Sequence, residues 1–449
     1  MNLLSKRKTV SILSTIMIMS TFILPTGSKT VQAAVKDKTF SVLSLNVAGL
    51  PAVLSSSNPS ANTRLMSPLL NNYDVVSVQE DFAYHDDLTS KVTLPYLTAT
   101  SGNVPLGDGM NFMSRFPLYE TTRYKWKDSS GFISHGADQM TPKGILYSSM
   151  EIEPGYLVDI YDIHTDADTD ADSCAARRSN MIQLANLIGE RSTGKAVIVI
   201  GDTNSRYTRS EDNFEDAVVK KCGLTDAWIQ LIRNGNVPAD GDALMDATKR
   251  NGPNNEVVDK IWYRSGKNVK LDATSYALLE TAFTDASGKQ LSDHYPITTT
   301  FKYSLNKDIK MSETFGGGGG NGFSFSEKMG NNFPTKVAIK SGTRLDSIAF
   351  TYNDVVAEVG GTGGTYKELI IGKNEYITSM DLCKSQKNTL GTNRISYIKL
   401  TTNLGRTLEG GTKDDVTTFT APNGYAIAGI YGFADKEIDR LGAIYKSLQ

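Results

Sequence analysis

Cysteine and histidine are scarce in this chain, which has 3 Cys and 4 His among 449 residues. The odd number of cysteines leaves at least one thiol unpaired and excludes a disulfide scaffold. No Cys-x-x-Cys pair or close His/Cys group is present, so a structural zinc site is not predicted. Cys174 and Cys222 could form one bridge in an oxidising compartment, whereas Cys383 lies much later in the chain. The sequence leaves open whether that bridge forms.

Long apolar runs are absent after the first 34 residues. At the start, Lys6, Arg7 and Lys8 precede an apolar stretch, and small residues follow it up to Ala34. This pattern is typical of a cleaved secretion signal, so we predict residues 1–34 as a signal peptide and the mature protein as secreted and extracellular. A retained anchor is the alternative interpretation. Any membrane contact of the remaining chain is expected to be at most peripheral.

An excess of positive charge is also absent. Residues 35–315 contain 28 Lys and Arg against 36 Asp and Glu, and residues 316–449 contain 15 against 13. The first stretch therefore lacks the basic surface that is typical of nucleic-acid binding. A bound metal ion can reverse the field locally, so a nucleic-acid substrate stays open.

The first two thirds of the chain alternate short apolar runs with polar stretches, which predicts stacked sheets and helices. One stretch, Arg177–Glu190, has apolar residues at helical spacing and is predicted to be an amphipathic helix. The predicted strands are Phe40–Asn46, Val75–Gln79, Val158–His164, Ala196–Gly201 and Val257–Tyr263.

The last third is rich in Gly, Thr, Ser and aromatic residues and is predicted to be all-β. We place a linker at residues 303–314, between a first domain at 38–302 and a second at 315–449. Glycine clusters at 316–320 and 360–364 suggest an internal repeat. The predicted strands of this part are Lys336–Lys340, Ser347–Tyr352, Lys367–Ile371, Ser396–Thr401 and Ala426–Tyr431.

Polar residues recur where the predicted buried strands of the first domain end. They are Asn46, Glu80, His164, Asp202 with Asn204, and Asp293 with His294. Buried strands have no packing reason to end repeatedly in such groups, so a shared chemical task is indicated. Oxygen ligands favour Mg²⁺, Ca²⁺ or Mn²⁺ over zinc, and two imidazoles can divide the work of proton transfer. These types suit metal-assisted phosphodiester cleavage.

At these residues the sequence resembles the endonuclease/exonuclease/phosphatase superfamily over roughly residues 38–302. Six short motifs appear in the family's order. They are Leu45-Asn46-Val47, Val78-Gln79-Glu80, Asp162-Ile163-His164-Thr165, Gly201-Asp202-Thr203-Asn204, Val258-Asp259-Lys260-Ile261 and Ser292-Asp293-His294-Tyr295-Pro296. The resemblance implies a four-layered α/β sandwich with the site at the upper edge of two packed sheets.

The same resemblance implies roles for single residues. Asn46, Glu80 and Asp293 would form the site of Mg²⁺, or of Ca²⁺ or Mn²⁺. His294 would be the general base, oriented by Asp259. Asp202 and Asn204 would position the nucleophile and stabilise the transition state, while His164 would bind the phosphoryl group or assist the leaving oxygen.

Within the superfamily, the acidic stretch after His164 and the helix start at Arg177 look most like the sphingomyelinase-type branch. Bacterial members of that branch carry a long hairpin of exposed aromatics before the final Asp-His, whereas residues 278–291 offer only Phe283 here.

A secreted deoxyribonuclease-like enzyme is the alternative, with phosphate contacts from arginines near the motifs. A phosphomonoesterase for inositol phosphates is less favoured. The candidate arginines are Arg177, Arg178, Arg206 and Arg209.

Residues 315–449 resemble the jacalin-related lectins, through the 316–320 glycine run and through Ile438-Asp439-Arg440-Leu441-Gly442. The resemblance implies a β-prism of three Greek-key sheets in which Gly320 and Asp439 contact a sugar, with the backbone of Lys436 and Glu437 beside them. Asp435 stands where the family usually has glycine. The expected partner is a carbohydrate or glycoconjugate that would tether the enzyme. A carbohydrate-binding protein with an inactive hydrolase domain is the competing hypothesis.

Overall fold

The structure, a computed structural model, describes most of the chain after residue 37, and Lys38–Gln449 form one compact unit. The predicted signal peptide lies outside the described residues. Those residues are 38–449 without 56, 104–106, 131–140, 243–253 and 386–392.

Two sheets of six strands each form from the described residues of the N-terminal α/β region, residues 38–305. The first has the order β11-β12-β1-β2-β4-β3 and the second β5-β6-β7-β8-β10-β9. The strands are β1 (Thr39–Asn46), β2 (Val75–Gln79), β3 (Tyr96–Leu97), β4 (Asn111–Ser114), β5 (Leu118–Lys125), β6 (Gly144–Glu153), β7 (Tyr156–His164), β8 (Ala196–Asp202), β9 (Thr225–Asp226), β10 (Asp259–Arg264), β11 (Val269–Leu278) and β12 (Ile297–Leu305).

Helices cover the outer faces of these sheets. The α-helices are α1 (Pro59–Met66), α2 (His85–Thr89), α3 (Ala171–Arg191) and α4 (Ala227–Leu231). Short 3₁₀ segments at Ala52–Leu54 and Ser67–Asn72 and a π-helical segment at Glu215–Lys220 complete the set within the described residues.

Side-chain alternation along the strands produces the four layers. In β1, Val42 packs between the sheets, whereas Leu43 and Leu45 join an outer core with α1. In β7, Ile160 packs between the sheets, whereas Ile163 joins the core under α3. Successive strand residues face opposite sides, so each of these strands is buried on both faces. The predicted α/β sandwich is confirmed.

The C-terminal β region, residues 309–449, is built from hairpins. Its short helix is α5 (Ser326–Met329). Its strands are β13 (Ile309–Met311), β14 (Phe315–Gly316), β15 (Asn321–Ser324), β16 (Lys336–Ser341), β17 (Leu345–Tyr352), β18 (Val355–Gly360), β19 (Thr365–Ile370), β20 (Ile377–Lys384), β21 (Ile395–Thr402), β22 (Thr407–Gly411), β23 (Thr417–Thr420), β24 (Tyr425–Ala434) and β25 (Ile438–Ser447).

These strands form three faces. One contains β16 to β19, a second β20 to β23, and a third β13, β14, β15, β24 and β25. The second and third faces are joined through a single pair, Ile377 with Ile427, so the hydrogen-bonded network continues around that corner. Three faces around one core are what a β-prism requires, and the predicted all-β fold is confirmed.

The predicted strands of both regions are confirmed, with ends that differ by a few residues. The predicted helix Arg177–Glu190 is part of the longer α3, whose first turn is capped by the side chain of Asp170. Within the segment predicted as a linker, Ile309–Met311 pairs with β25. Cys174, Cys222 and Cys383 are buried free thiols.

The two regions meet at one end of the α/β sandwich. Phe433 packs edge-on against Tyr119, with ring centroids 5.0 Å apart, and a Cβ on Gly322 would lie 2.4 Å from the same tyrosine ring. The hydroxyl of Tyr156, at the start of β7, lies 3.4 Å from the carbonyl oxygen of Ile309. Among the described residues, no helix combines the length and apolar character needed to cross a membrane.

Candidate active site

Parallel pairing brings the motif residues to one edge of the sandwich. In the first sheet Asn46 is level with Gln79, so Glu80 follows directly beside it. In the second sheet His164 is level with Asp202, and Asp202 is level with Asp259 of the antiparallel β10. The sheets pack face to face, and this edge therefore gathers side chains from five strand ends and the loop before β12.

Asn46 links the two sheets at the centre of this edge. Its Nδ2 lies 3.0 Å from Oε1 of Glu80 and 3.2 Å from Oδ2 of Asp202, and its Oδ1 accepts from the backbone N–H of Ala48. Asn46 and Asp202 are buried. One amide thus holds two carboxylates that would otherwise repel each other.

Glu80 is presented by an unusual backbone conformation, with φ of 58°. Burial raises the pKa of its carboxyl group, against the opposing effects of the Asn46 hydrogen bond and of Lys143. The neighbouring Asp81 points elsewhere, with Oδ2 2.6 Å from Nδ1 of His85 and 2.8 Å from Nδ2 of Asn111. Of the two adjacent acids, Glu80 therefore faces the site.

His294 and Asp259 form a close pair. His294 Nδ1 lies 2.8 Å from Asp259 Oδ2, and its Nε2 lies 3.7 Å from Asp202 Oδ2. Burial alone would lower the pKa of His294, but the carboxylates of Asp259 and Asp202 outweigh it and hold that pKa well above its usual value. The pair resembles a base and its orienting group, because the bond at Nδ1 leaves Nε2 to face the site.

His164 has the opposite electrostatic setting. Its side chain is buried, Nε2 lies 3.5 Å from Asp202 Oδ2, and Nδ1 has no hydrogen-bond partner among the described residues. Burial lowers the pKa of His164 well below its usual value, and Lys143 acts in the same direction. The site thus holds one imidazole that favours the charged form and one that favours the neutral form.

Asp202 stands between these imidazoles. Burial alone would raise the pKa of its carboxyl group, but His294, His164 and Lys143 lower it overall. Its Oδ1 accepts the backbone N–H of Asn204, which has φ of 46°, and Asn204 Nδ2 donates to the carbonyl oxygen of Thr165. The Gly201-Asp202-Thr203-Asn204 segment is therefore a turn held by its own side chains, and it also carries two predicted site residues.

Asp293 lies at the rim rather than in this network. Its side chain is exposed, and its Oδ1 lies 3.4 Å from the hydroxyl of Ser292. That hydroxyl donates to the carbonyl oxygen of Asn46 at 2.7 Å, which ties the loop carrying His294 to the end of β1. The structure brings together the other predicted site residues of this region and leaves Asp293 at their border.

Lys143 is a charged neighbour that the motifs did not reveal. It precedes β6, which runs antiparallel to β7, so its position is level with the end of the strand that carries His164. Its Nζ lies 3.3 Å from the carbonyl oxygen of Thr165. Only the strand pairing identifies this lysine, because nothing in Thr141-Pro142-Lys143-Gly144 marks it in the sequence.

The candidate phosphate-binding arginines are engaged with the protein. Arg177 is fully buried, 2.8 Å from Asp212, and its Nη1 contacts the carbonyl oxygens of residues 166–168. Arg209 also pairs with Asp212, while Arg178 and Arg206 donate to backbone carbonyl oxygens. Arg177 therefore supports the acidic loop and is neither a substrate contact nor a solvated charge.

The donor set fits a divalent cation. Asp202, Asp259 and His294 offer ligand atoms within 4.8 Å of one another, and Asp259 Oδ1 is buried without a hydrogen-bond partner among the described residues. Glu80 adds a carboxyl group whose ionised form is disfavoured by burial, so a nearby positive charge would stabilise it. Such oxygen-rich groups are typical of Mg²⁺, Mn²⁺ or Ca²⁺ sites. Asn46 turns its Nδ2 toward Glu80 and Asp202, so it fits as an oxygen ligand beside them only with its amide reversed.

A second candidate site lies in the C-terminal β region. A Cβ on Gly319 or Gly320 would lie 2.8 Å from a carboxylate oxygen of Asp439, so these glycines leave the approach to that carboxylate open. Gly320 has φ of +74°, which glycine adopts without strain. Burial raises the pKa of Asp439 despite Arg394, whose Nε lies 3.8 Å away.

The residues before Asp439 are held by contacts of a different kind. Lys436 is exposed, and its carbonyl oxygen faces Gly361 of the second glycine cluster. The carboxylate of Glu437 pairs with both Arg344 and Arg394. Asp435 has a negative φ, so the loop does not need glycine there.

Known proteins resemble both regions. Residues 43–294 match the Endonuclease/Exonuclease/phosphatase family, and residues 312–444 match the Jacalin-like lectin domain. The first match covers more than half of the chain.

Individual relatives match one region each. The sphingomyelinase of Mycobacterium bovis is 36% identical over 274 residues, which are 59% of this chain and 53% of that protein, so the chain spans about half the length of this relative. The structure of sphingomyelinase C from Streptomyces griseocarneus is 18% identical, with a TM-score of 0.42 and coverage of 58% of this chain and 99% of that one. Wild-type Malaysian banana lectin is 29% identical, with a TM-score of 0.27 and coverage of 31% of this chain and 99% of that one.

Proposed function

Since the chain belongs to the endonuclease/exonuclease/phosphatase family, we propose that it is a secreted, divalent-metal-dependent phosphodiester hydrolase that acts on sphingomyelin or a closely related choline phospholipid. The observation that carries the chemistry is the Asp259–His294 pair, aimed at Asp202 beside Glu80. The choice of lipid is supported by 36% identity to a protein named sphingomyelinase.

The chain's own residues can move the proton and orient the phosphoryl group. In its neutral form, His294 accepts a proton from the attacking water at Nε2, and Asp259 and Asp202 stabilise the imidazolium that forms. Neutral His164 donates a hydrogen bond to a phosphoryl or leaving oxygen. As the water oxygen bonds to phosphorus, the bond between phosphorus and the leaving oxygen breaks, and the proton held by His294 passes to that oxygen or to solvent. Asp202 and Asn204 fix the position of the water. When bound by Glu80 with Asn46, a divalent cation supplies positive charge that stabilises the charge developing on a phosphoryl oxygen.

Contact with a lipid surface would not use the aromatic residue of the 278–291 segment, because Phe283 is buried in the outer core. A different apolar side chain is available near the site. Val53 is 91% exposed in the loop after β1, and Gly49 of the same loop bonds the backbone oxygen of Glu80. This loop supports a peripheral approach to lipid.

The nuclease alternative is less well supported. The N-terminal α/β region is acidic, and the four arginines near the motifs are bonded within the protein. Lys143 is the lysine whose charge acts on the pKa of His164, and one such cation among the described residues is little positive charge for binding a nucleic-acid backbone.

Turnover of three substrates separates these possibilities. The purified mature protein is incubated with sphingomyelin vesicles, plasmid DNA or bis(p-nitrophenyl) phosphate, each with Mg²⁺, Ca²⁺ or EDTA. We expect EDTA-sensitive release of phosphocholine from the vesicles. Nicked plasmid without phosphocholine would support the nuclease, and absence of metal-dependent turnover of all three would support the binding protein with an inactive hydrolase domain.

The C-terminal β region is proposed to bind a carbohydrate through Gly320 and Asp439 and so tether the enzyme to a glycosylated surface. We expect Asp439→Ala to weaken binding on a glycan array at least about tenfold, since a carboxylate that accepts two sugar hydroxyls is lost. Turnover of bis(p-nitrophenyl) phosphate should stay unchanged. Undiminished glycan binding by this variant would show that the glycine loop is not the sugar site.

A further inference from the structure

A hydrogen bond between two buried side chains joins the two sheets of the α/β sandwich directly beneath the candidate active site. Gln79, the last residue of β2, donates from Nε2 to Oδ1 of Asp162 in β7 at 2.7 Å. Both residues are fully buried. Each belongs to one of the motifs that carry the site, yet neither has a part in the chemistry described so far.

The pair precedes a site residue on each sheet. Glu80 follows Gln79 directly, in a backbone conformation with φ of 58°. His164 lies two residues after Asp162, so the two side chains point to the same face of β7. The bond therefore ties the two sheets together just below the place where the carboxyl group of Glu80 and the imidazole of His164 meet.

Asp162 also lies close to the strand that carries Asp202. A Cβ on Gly201 of β8 would lie 3.0 Å from Asp162 Oδ1, and Gly201 directly precedes Asp202. The carboxyl group of Asp162 thus packs between the end of β2 and the end of β8, and a displacement of it would be felt on both sides.

A second side-chain bond between the sheets lies beside this one, from Asn46 Nδ2 to Asp202 Oδ2 at 3.2 Å. Asn46 can offer an oxygen to a cation at this place only by reversing its amide, and the reversed amide has no N–H directed at Asp202. The bond between Gln79 and Asp162 does not change with the cation, so it remains as a link between the sheets when the site is loaded.

The pair is costly to bury. Asp162 Oδ2 and Gln79 Oε1 have no hydrogen-bond partner among the described residues. Burial raises the pKa of Asp162 well above its usual value, against the hydrogen bonds of Gln79 and Ser77. Apolar residues of similar volume are often at least as stabilising as a buried polar pair. The geometry that the bond imposes explains the pair better than a contribution to stability does.

We propose that Gln79 and Asp162 are positioning residues, whose bond sets the distance between Glu80 on one sheet and His164 on the other. This role rests on the proposed function, because Glu80 and His164 hold the cation and the phosphoryl group in that reaction. The pair acts through these two residues and not by contact with the substrate. Loss of a group that orients a metal ligand typically lowers metal affinity or activity about 10–100-fold.

Gln79→Met tests the bond with a side chain of similar length that has no N–H. Mn²⁺ affinity is measured by isothermal titration, and kcat and KM are measured with bis(p-nitrophenyl) phosphate. We expect Mn²⁺ affinity and kcat to fall about tenfold or more, with KM nearly unchanged, and Asp162→Ala to act in the same way. The double variant should lose about as much as the more affected single variant, because both changes remove one shared bond. Unchanged Mn²⁺ affinity and kcat in Gln79→Met, or additive losses in the double variant, would overturn the proposal.

Asp162→Asn is the conservative variant. Asparagine keeps an oxygen that can accept from Gln79, and it carries no charge that burial opposes. Mn²⁺ affinity and kcat should therefore stay within a few-fold of the unaltered protein, and the melting midpoint in EDTA should not fall. Losses as large as those of Asp162→Ala would mean that the charge matters and not the hydrogen bond, and the proposal would be wrong.

Tyr303→Phe is the matched control. The hydroxyl of Tyr303 donates to Glu153 Oε1 at 2.9 Å, which is also a bond between the two sheets, but Tyr303 pairs with Lys38 at the start of β1, at the opposite end from the site. This variant should have a lower melting midpoint and unaltered Mn²⁺ affinity, and an equal fall in Mn²⁺ affinity would contradict a specific role for the pair. If the unaltered protein binds Mn²⁺ but hydrolyses no diester, the proposed function fails, and the Mn²⁺ affinities of the variants still decide for or against the pair.

Discussion

His294→Ala is expected to lower kcat roughly 10²–10⁴-fold, the usual range for loss of a general acid or base. The imidazole is the group that Asp259 orients at Nδ1 and whose Nε2 faces Asp202. Its removal leaves the attacking water without a proton acceptor. Binding of a soluble diester should change far less than kcat, which steady-state kinetics on bis(p-nitrophenyl) phosphate would measure.

His85→Ala is the matched control for this variant. His85 is also a partly buried histidine whose Nδ1 contacts an aspartate, here Asp81 at 2.6 Å, but it lies outside the network of Asn46 and Asp202. We expect kcat of this variant to stay within a few-fold of the unaltered protein. Similar losses in the two variants would mean that a folding defect, rather than missing base catalysis, explains the effect of His294→Ala.

Glu80→Gln is expected to reduce turnover by roughly 100-fold or more, since the charge stabilisation by a bound cation amounts to several kcal/mol. The same change should leave the melting midpoint in EDTA unchanged or higher, because burial disfavours the charge on Glu80 and glutamine has none. Isothermal titration with Mn²⁺ and thermal melting with and without EDTA would measure both effects.

Asp81→Asn separates the two adjacent acids. Asp81 is buried and bonded to His85 and Asn111, so the loss of its charge should lower the melting midpoint. The folded protein should still bind Mn²⁺ in the titration, and Mn²⁺ should still raise its melting midpoint. Loss of Mn²⁺ binding in Asp81→Asn but not in Glu80→Gln would show that Asp81, and not Glu80, is the metal ligand.

Strand ends were the part of the site that the sequence could predict. Asn46, His164 and Asp202 directly end apolar runs that are buried on both faces, and parallel pairing of such strands places their ends at one edge. Asp259 was found through its motif, and the register of β10 with β8 explains why it lies level with Asp202.

Features that depend on pairing between distant segments could not be predicted in this way. Lys143 reaches the site because β6 is antiparallel to β7, and its own surroundings carry no pattern. Asp293 and His294 are adjacent in sequence, yet the turn at Ser292 directs one outward and the other inward. Likewise, the four arginines looked available in the sequence, and only packing shows their internal partners.

The long strand β7 joins two surfaces with different tasks. Its first residue, Tyr156, contacts the C-terminal β region, and its last, His164, lies in the candidate active site. Nine residues of extended chain span roughly 26–30 Å. A molecule held through its C-terminal β region would thus carry its candidate active site at the opposite end of β7. That site would reach bonds on a second surface that faces it. It would reach bonds on the surface that holds the protein only if the long axis of β7 lay parallel to that surface.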